Sequence, residues 1–149
     1  MKYNGDPTKI TYRSLWERHF MVYLDTTEEV LWWNSEAIAV PYVSPADNKI
    51  HSYYPDFVFH IRENHKDTEK LSIEKTYMIE IKPQKQTKPP NPKRKKTKSL
   101  YNEQKRYAIN KAKWKQATKY CDIKEWHFKL LTEADIFTKP LKRYKKGRK

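Results

Sequence analysis

Pro55-Asp56 and Glu80-Ile81-Lys82 are the positions whose residue types and spacing are suited to hydrolytic chemistry. Residues two apart in an extended chain point to the same face, so Glu80 and Lys82 project together from a strand. If the stretches carrying Asp56 and Glu80 pair as a hairpin, Asp56 approaches the same place from the neighbouring strand. Two carboxylates and an ammonium gathered at one point are costly for a mere core, because uncompensated buried charge is penalised by several kcal/mol per ion. A hard divalent cation relieves that cost. Magnesium takes one or two carboxylates and fills its other positions with water and phosphate, and manganese is a substitute of the same class. When bound, it would polarise a phosphoryl oxygen and stabilise the leaving oxygen. The lysine would orient or deprotonate the attacking water and offset charge at phosphorus. The bland alternatives are a turn role for Asp56 and a solvent-facing pair for Glu80 and Lys82.

The elements that must position these residues are legible in outline. Ser14 with Glu17 has the spacing of a capping box, and Thr11 is an alternative cap, so a helix is expected from there to about Leu24. Val30–Trp33 is a short apolar run, and Glu36–Tyr42 reads as a first strand, placed at an edge by Pro41. Ser44–Asn48 is a turn. Ser52–Arg62 and Ile73–Ile81 read as two strands joined by the polar loop Glu63–Lys70. Leu100 to about Tyr120 has an apolar face at a helical period that includes Tyr101, Ala108, Ala112, Trp114 and Ala117. Glu125–Leu131 is a further strand, followed by a short helix capped by Thr132. With 149 residues the chain fits one domain, expected over residues 1–138. The order of elements suits an α/β core with a central mixed sheet flanked by helices.

Charge is distributed unevenly. Residues 1–81 hold nine basic and thirteen acidic residues, whereas residues 82–149 hold 23 basic and five acidic. The net +14 therefore comes wholly from the second half, which points to a polyanionic partner there. The segment 83–99 is basic and Pro-rich, has no means of burying a core, and is expected to be a mobile loop. Its Lys85, Lys88, Lys93, Arg94, Lys95, Lys96 and Lys98, with Lys105 and Arg106 on the following helix, are the candidate nucleic-acid contacts. A basic tail at 139–149 adds seven cations, for which a solubility role is the alternative. Binding to phosphates by such residues weakens steeply with salt.

Other function classes find no support. Cys121 is the single cysteine, and the histidines lack zinc-ligand spacing. Gly5 and Gly147 are the only glycines, so there is no phosphate-binding glycine loop. No apolar run reaches the roughly 20 residues needed to span a bilayer, so no membrane role is expected, and the N-terminal residues do not read as a secretory signal. Trp114 and Trp126 read as core residues, while Tyr101 and Tyr107 suit either base stacking or helix packing.

The motif Pro55-Asp56 with Glu80-Ile81-Lys82 resembles that of the PD-(D/E)XK nucleases. The surrounding text resembles a narrower group: Tyr12-Arg13-Ser14-Leu15-Trp16-Glu17, Ser35–Tyr42, Tyr53–Phe57, Ile79–Pro83 and Leu130–Glu133. That group is the TnsA-like branch, and within it the head completion nucleases of contractile-tailed bacteriophages. The resemblance implies a restriction-endonuclease-like fold and a metal-dependent DNA endonuclease. It implies Asp56 and Glu80 as metal ligands, Lys82 as the catalytic lysine, and Glu17 as a residue orienting the metal site or a water within it. Glu36 and His51 are candidate supporting positions around that site. Implied partners are double-stranded or branched DNA and the portal, neck or other head-completion proteins, during assembly in the host cytoplasm or at the head–tail junction. Two alternatives stay open: a non-catalytic DNA-binding head-completion protein, and a transposon-end endonuclease.

Overall fold

The computed structural model describes residues 2–9, 14–64 and 72–136. Helix α1 (Leu15–Thr26) starts where the S-x-x-E spacing predicts: the Ser14 hydroxyl accepts a hydrogen bond from the Glu17 amide at 3.2 Å. The alternative cap Thr11 lies outside the described residues. The helix runs two residues past Leu24 and stops at Thr27, whose amide and hydroxyl both bond the Tyr23 carbonyl.

Strand β1 (Val30–Ser35) occupies the apolar run that the sequence leaves unassigned. A short apolar stretch has no periodicity of its own, and its pairing with a later strand decides its state. The expected strand at Glu36–Tyr42 is displaced. Glu36 takes a left-handed backbone (φ 50°) at the end of β1, and β2 (Val40–Val43) begins four residues later. The turn at 44–48 is as expected, closed by the Asn48 amide on the Ser44 carbonyl at 2.8 Å. It joins β2 to β3 (Ile50–Tyr53) in a separate two-stranded sheet.

The single strand expected over Ser52–Arg62 is two. Tyr54-Pro55-Asp56 separates β3 from β4 (Phe57–Asn64), so Asp56 stands one residue before a strand and not inside one. Pro55 has no N–H to continue a ladder. The two halves also serve different sheets: β3 pairs with β2, and β4 pairs with β1 and β5. Strand β5 (Ser72–Ile81) pairs antiparallel with β4, as the hairpin reading requires, while most of the connecting loop, 65–71, is outside the described residues.

Helix α2 (Lys98–Lys124) is longer at both ends than expected, with Thr97 as its N-cap and Glu125 (φ 60°) closing it in a left-handed conformation. That turn delays β6 to His127–Leu131, which lies parallel to β5. The central sheet is therefore mixed, in the order β1-β4-β5-β6. Residues 133–136 form a helical turn after it, as expected at Thr132. Between β5 and α2, the basic segment opens with a 3-10 turn (Gln84–Thr87), and α2 takes over its last two positions. Tail residues 139–149 lie outside the described residues. Among the described residues no helix is long and apolar enough to cross a membrane.

Alternation on the two central strands divides the core. Phe57, Phe59, Ile79 and Ile81 pack with Phe20, Met21 and Leu24 of α1. Val58 and Met78 face the other way, against Trp114, Ala117 and Cys121 of α2 and Val40, Tyr42 and Tyr53 of the small sheet. Tyr101 is not on the inner face of α2 but 64% exposed. The buried positions there are Leu100, Asn110, Trp114, Ala117 and Cys121. Even-numbered residues of β4 and β5 thus face α2, which fixes the side of the sheet on which Glu80 emerges.

Trp33 ties β1 into the core on the α1 side. Its side chain is fully buried, its indole N–H donates to Asp25 at 2.8 Å, and its ring lies against Tyr3 and Phe57. Trp33→Ala is expected to cost about 4 kcal/mol, against less than about 0.5 kcal/mol for Leu15→Ala at an exposed position. Urea unfolding of the two variants beside the parent checks this contrast.

Candidate functional site

A cleft of about 580 Å³ opens where β5 ends, lined by Glu17, Glu36, Ser52, Tyr53, Tyr54, Asp56, Glu80, Ile81, Lys82 and Lys113. The β4–β5 register builds its floor. Phe57 stands opposite Ile79, so Asp56 reaches the Ile81 amide, which donates to Asp56 Oδ2 at 2.8 Å. Glu80 is buried on the α2 side, where the Tyr53 hydroxyl donates to its Oε2 at 2.6 Å. Lys82, just past the strand, returns to the same face and holds its Nζ 3.6 Å from Glu80 Oε1. The alternation argument for Glu80 and Lys82 holds, and its solvent-facing alternative does not hold for Glu80, which is 6% exposed.

Glu36 enters the cleft because the β1–β4 ladder extends one step past Ser35. Its amide donates to the Asp56 carbonyl at 3.2 Å. A left-handed backbone at a residue with a long side chain costs about 1–3 kcal/mol and persists where surrounding structure enforces it. Glu17 arrives from the first turn of α1, so its capping role through the backbone and its place in the cleft through the side chain coexist. His51 is elsewhere: its Nε2 lies 2.8 Å from Asp47 Oδ2, and it does not line the cleft.

Electrostatics in the cleft are strained. Burial, then the charge of Glu80, pushes the Asp56 carboxyl up to about 8, against the opposing pull of the Ile81 amide. Burial also raises Glu80, opposed by the Tyr53 hydroxyl, Lys82 and Lys113. Tyr53 is driven up by burial and by Glu80, so it remains a phenol and a donor. Among the described residues, no group of three His, Cys, Asp or Glu side chains is already gathered closely enough to hold a cation.

Two cleft residues, Tyr53 and Lys113, carry no role in the sequence reading. Tyr53 lies in the Tyr53–Phe57 motif, but nothing in that motif tells that its hydroxyl meets Glu80. Lys113 carried a readable signal: it stands three residues after Asn110 and four before Ala117, on the flank of the inner face of α2.

The predicted nucleic-acid contacts divide into two sets. Lys85, Lys88, Arg94, Lys98 and Arg106 line a groove of about 870 Å³ between the Pro-rich segment and α2, together with Tyr107 and Asn110. Lys93, Lys95, Lys96 and Lys105 are exposed outside it. Arg94 is tied to Glu103 at 2.6 Å across the groove. The Gln84 amide is tied to the Glu133 carboxylate at 3.0 Å, which anchors the start of the segment near the cleft.

A model of the TnsA-like endonuclease N-terminal family matches residues 27–133. The chain belongs to that family. It is also similar to the head completion nuclease of Enterobacteria phage T4, with 38% identity over 139 residues covering 91% of this chain and 86% of that relative. No solved structure matches the chain significantly. Of the residues converging in this TnsA-like endonuclease, Glu36, Asp56, Glu80, Lys82 and Lys113 lie within the family match, and Glu17 precedes it.

A carboxyl that titrates higher when folded than when unfolded binds a proton more tightly in the native state. Stability then falls as pH rises from the ordinary carboxylate range to about 8. In chelator, Asp56→Asn of this endonuclease is expected to be more stable than the parent at pH 8.5 by roughly 1–3 kcal/mol, and the gain should vanish near pH 4. Thermal unfolding across that pH range is the measurement.

Proposed function

We propose that this chain is a divalent-metal-dependent DNA endonuclease with a PD-(D/E)XK site, acting in phage head completion. The observation that carries the reading is the convergence of Asp56, Glu80 and Lys82 in one cleft, where the charge of Glu80 acts on the half-buried Asp56 carboxyl. The name of the T4 relative supports the process.

The donor set fits a hard cation. Four carboxylates (Glu17, Glu36, Asp56 and Glu80) face two ammoniums (Lys82 and Lys113), a formal charge of −2 with all six ionised. A phosphodiester does not enter such a cleft favourably until a divalent ion offsets that charge. Asp56 and Glu80 would hold the ion, magnesium or manganese, which needs few protein ligands when water and phosphate complete its shell. Bound there, it supplies polarisation of the phosphoryl oxygen and stabilisation of the leaving oxygen. Lys82 Nζ orients the attacking water and offsets charge as the phosphorus becomes five-coordinate. The Ile81 amide and the Tyr53 hydroxyl hold the two carboxylates in place. Glu17 and Glu36 complete the acidic rim.

The substrate is DNA, double-stranded or with a branch or overhanging end, trimmed or resolved near the portal before head–tail joining. Lys85, Lys88, Arg94, Lys98 and Arg106 hold its backbone in the groove, and the remaining cations of the segment extend that surface. Phosphate contacts of this kind position a duplex without reading its sequence.

Cleavage of linear and branched duplexes in low salt, with magnesium, manganese or chelator, tests the reading. The parent is expected to cut only with metal, and Asp56→Ala and Lys82→Ala are each expected to lower the rate at least about 100-fold while retaining DNA binding. Binding without cutting by the parent on every substrate would replace the enzyme with an architectural DNA-binding protein. Affinity measured at 50 and 200 mM salt is expected to differ by a factor on the order of 10³, as for six or more phosphate contacts.

A further inference from the structure

Lys113 is the one charged group of the cleft that comes from α2. Its ammonium sits 5.7 Å from the centre of the Tyr42 ring and 5.6 Å from that of Tyr53, over the faces of both. Ring faces attract a cation through their quadrupole but take none of its hydrogen bonds, so the N–H donors remain available to an anionic oxygen. Lys82 faces Glu80 from β5, and Lys113 faces the cleft from the opposite element. The two ammoniums therefore reach the acidic cleft from different elements.

A packing role alone is a poor account of this lysine. Burial and the nearby charge of Lys82 both disfavour its ionised form, more than Glu80 restores it. A Met or Leu would lie on the same two rings without that desolvation. A perturbed ionisable group lining a cleft, held over two ring faces that take none of its hydrogen bonds, is a candidate functional position. The same face of α2 carries Asn110 and Arg106 in the basic groove one and two turns earlier, so a phosphate backbone lying in the groove is led along the helix to Lys113.

We infer that Lys113 is a second catalytic lysine, donating to a non-bridging oxygen of the scissile phosphodiester from the α2 side while Lys82 serves the attacking water. The inference rests on the nuclease reading of the cleft. It assigns Tyr42 and Tyr53 a positioning role, since their rings hold the ammonium over the floor, and Tyr53 in addition fixes Glu80.

The test has two arms. In the first, Lys113→Met and Lys113→Arg are compared with the parent for kcat and for DNA affinity. Lys113→Met is expected to lose about 100-fold in kcat, the cost of removing one preorganised donor, with less than about threefold change in affinity. Arginine is expected to restore at least a tenth of the parental rate. A parental rate in Lys113→Met, or a loss confined to affinity, overturns the assignment. The second arm needs no turnover: acetylation of lysines is mapped by mass spectrometry in the parent, with calcium, with and without a DNA duplex. Protection of Lys113 by DNA supports substrate contact even should the parent fail to cut. Equal labelling with and without DNA overturns the inference and leaves the Asp56 and Lys82 results untouched.

Discussion

Asp56 and Glu80 sit within reach of one another, both largely out of water, and the remainder of the site answers that repulsion. The Ile81 amide and the Tyr53 hydroxyl each satisfy one oxygen, at 2.8 and 2.6 Å. Lys82 offsets part of the charge from 3.6 Å. Against these contacts, burial and then the charge of Glu80 still push the Asp56 carboxyl up to about 8. Functional sites commonly hold such cost where a ligand will later relieve it. Here the stabilising energy comes from the two cores on either side of the sheet.

The β4–β5 register is what makes the arrangement unique. Side chains alternate with a period of two, so a slip of one residue would turn Glu80 into the apolar core beneath α1 and Met78 away from α2. The apolar residues guard against that slip. Ile79 and Ile81 belong with Phe20, Phe57 and Phe59, while Met78 belongs with Trp114, Ala117 and Cys121. The same burial that stabilises the fold thus aims the carboxylate. Glu36 is aimed by the same means, through the ladder step in which its amide meets the Asp56 carbonyl.

Helix α2 links the core, the cleft and the basic groove. Trp114, Ala117 and Cys121 seat it on the sheet, Lys113 enters the cleft, and Lys98 and Arg106 line the groove. Spacing of three and four residues puts these groups on adjoining strips of one helix. One rigid element thus carries both groove cations and a cleft lysine, which fixes the groove and the cleft relative to one another. Glu103, the acid paired with Arg94 inside that groove, holds the Pro-rich segment against the helix.

Much of this was written locally. The S-x-x-E cap of α1, the turn at 44–48, the β4–β5 hairpin and the long basic helix follow from patterns within a few residues of each other, as does the shared face of Glu80 and Lys82. The basic character of the second half follows from composition alone, and the family resemblance from short motifs. What could not be read locally is whatever depends on which strand a segment meets. Val30–Ser35 became a strand because β4 offered it a partner, and Ser52–Arg62 broke at Pro55 because its halves pair in different sheets. Glu36 past the end of β1, Tyr53 of β3 and Lys113 of α2 met at one cleft. Periodicity gives each residue a face on its own element. Only the packing of elements against one another decides which faces meet.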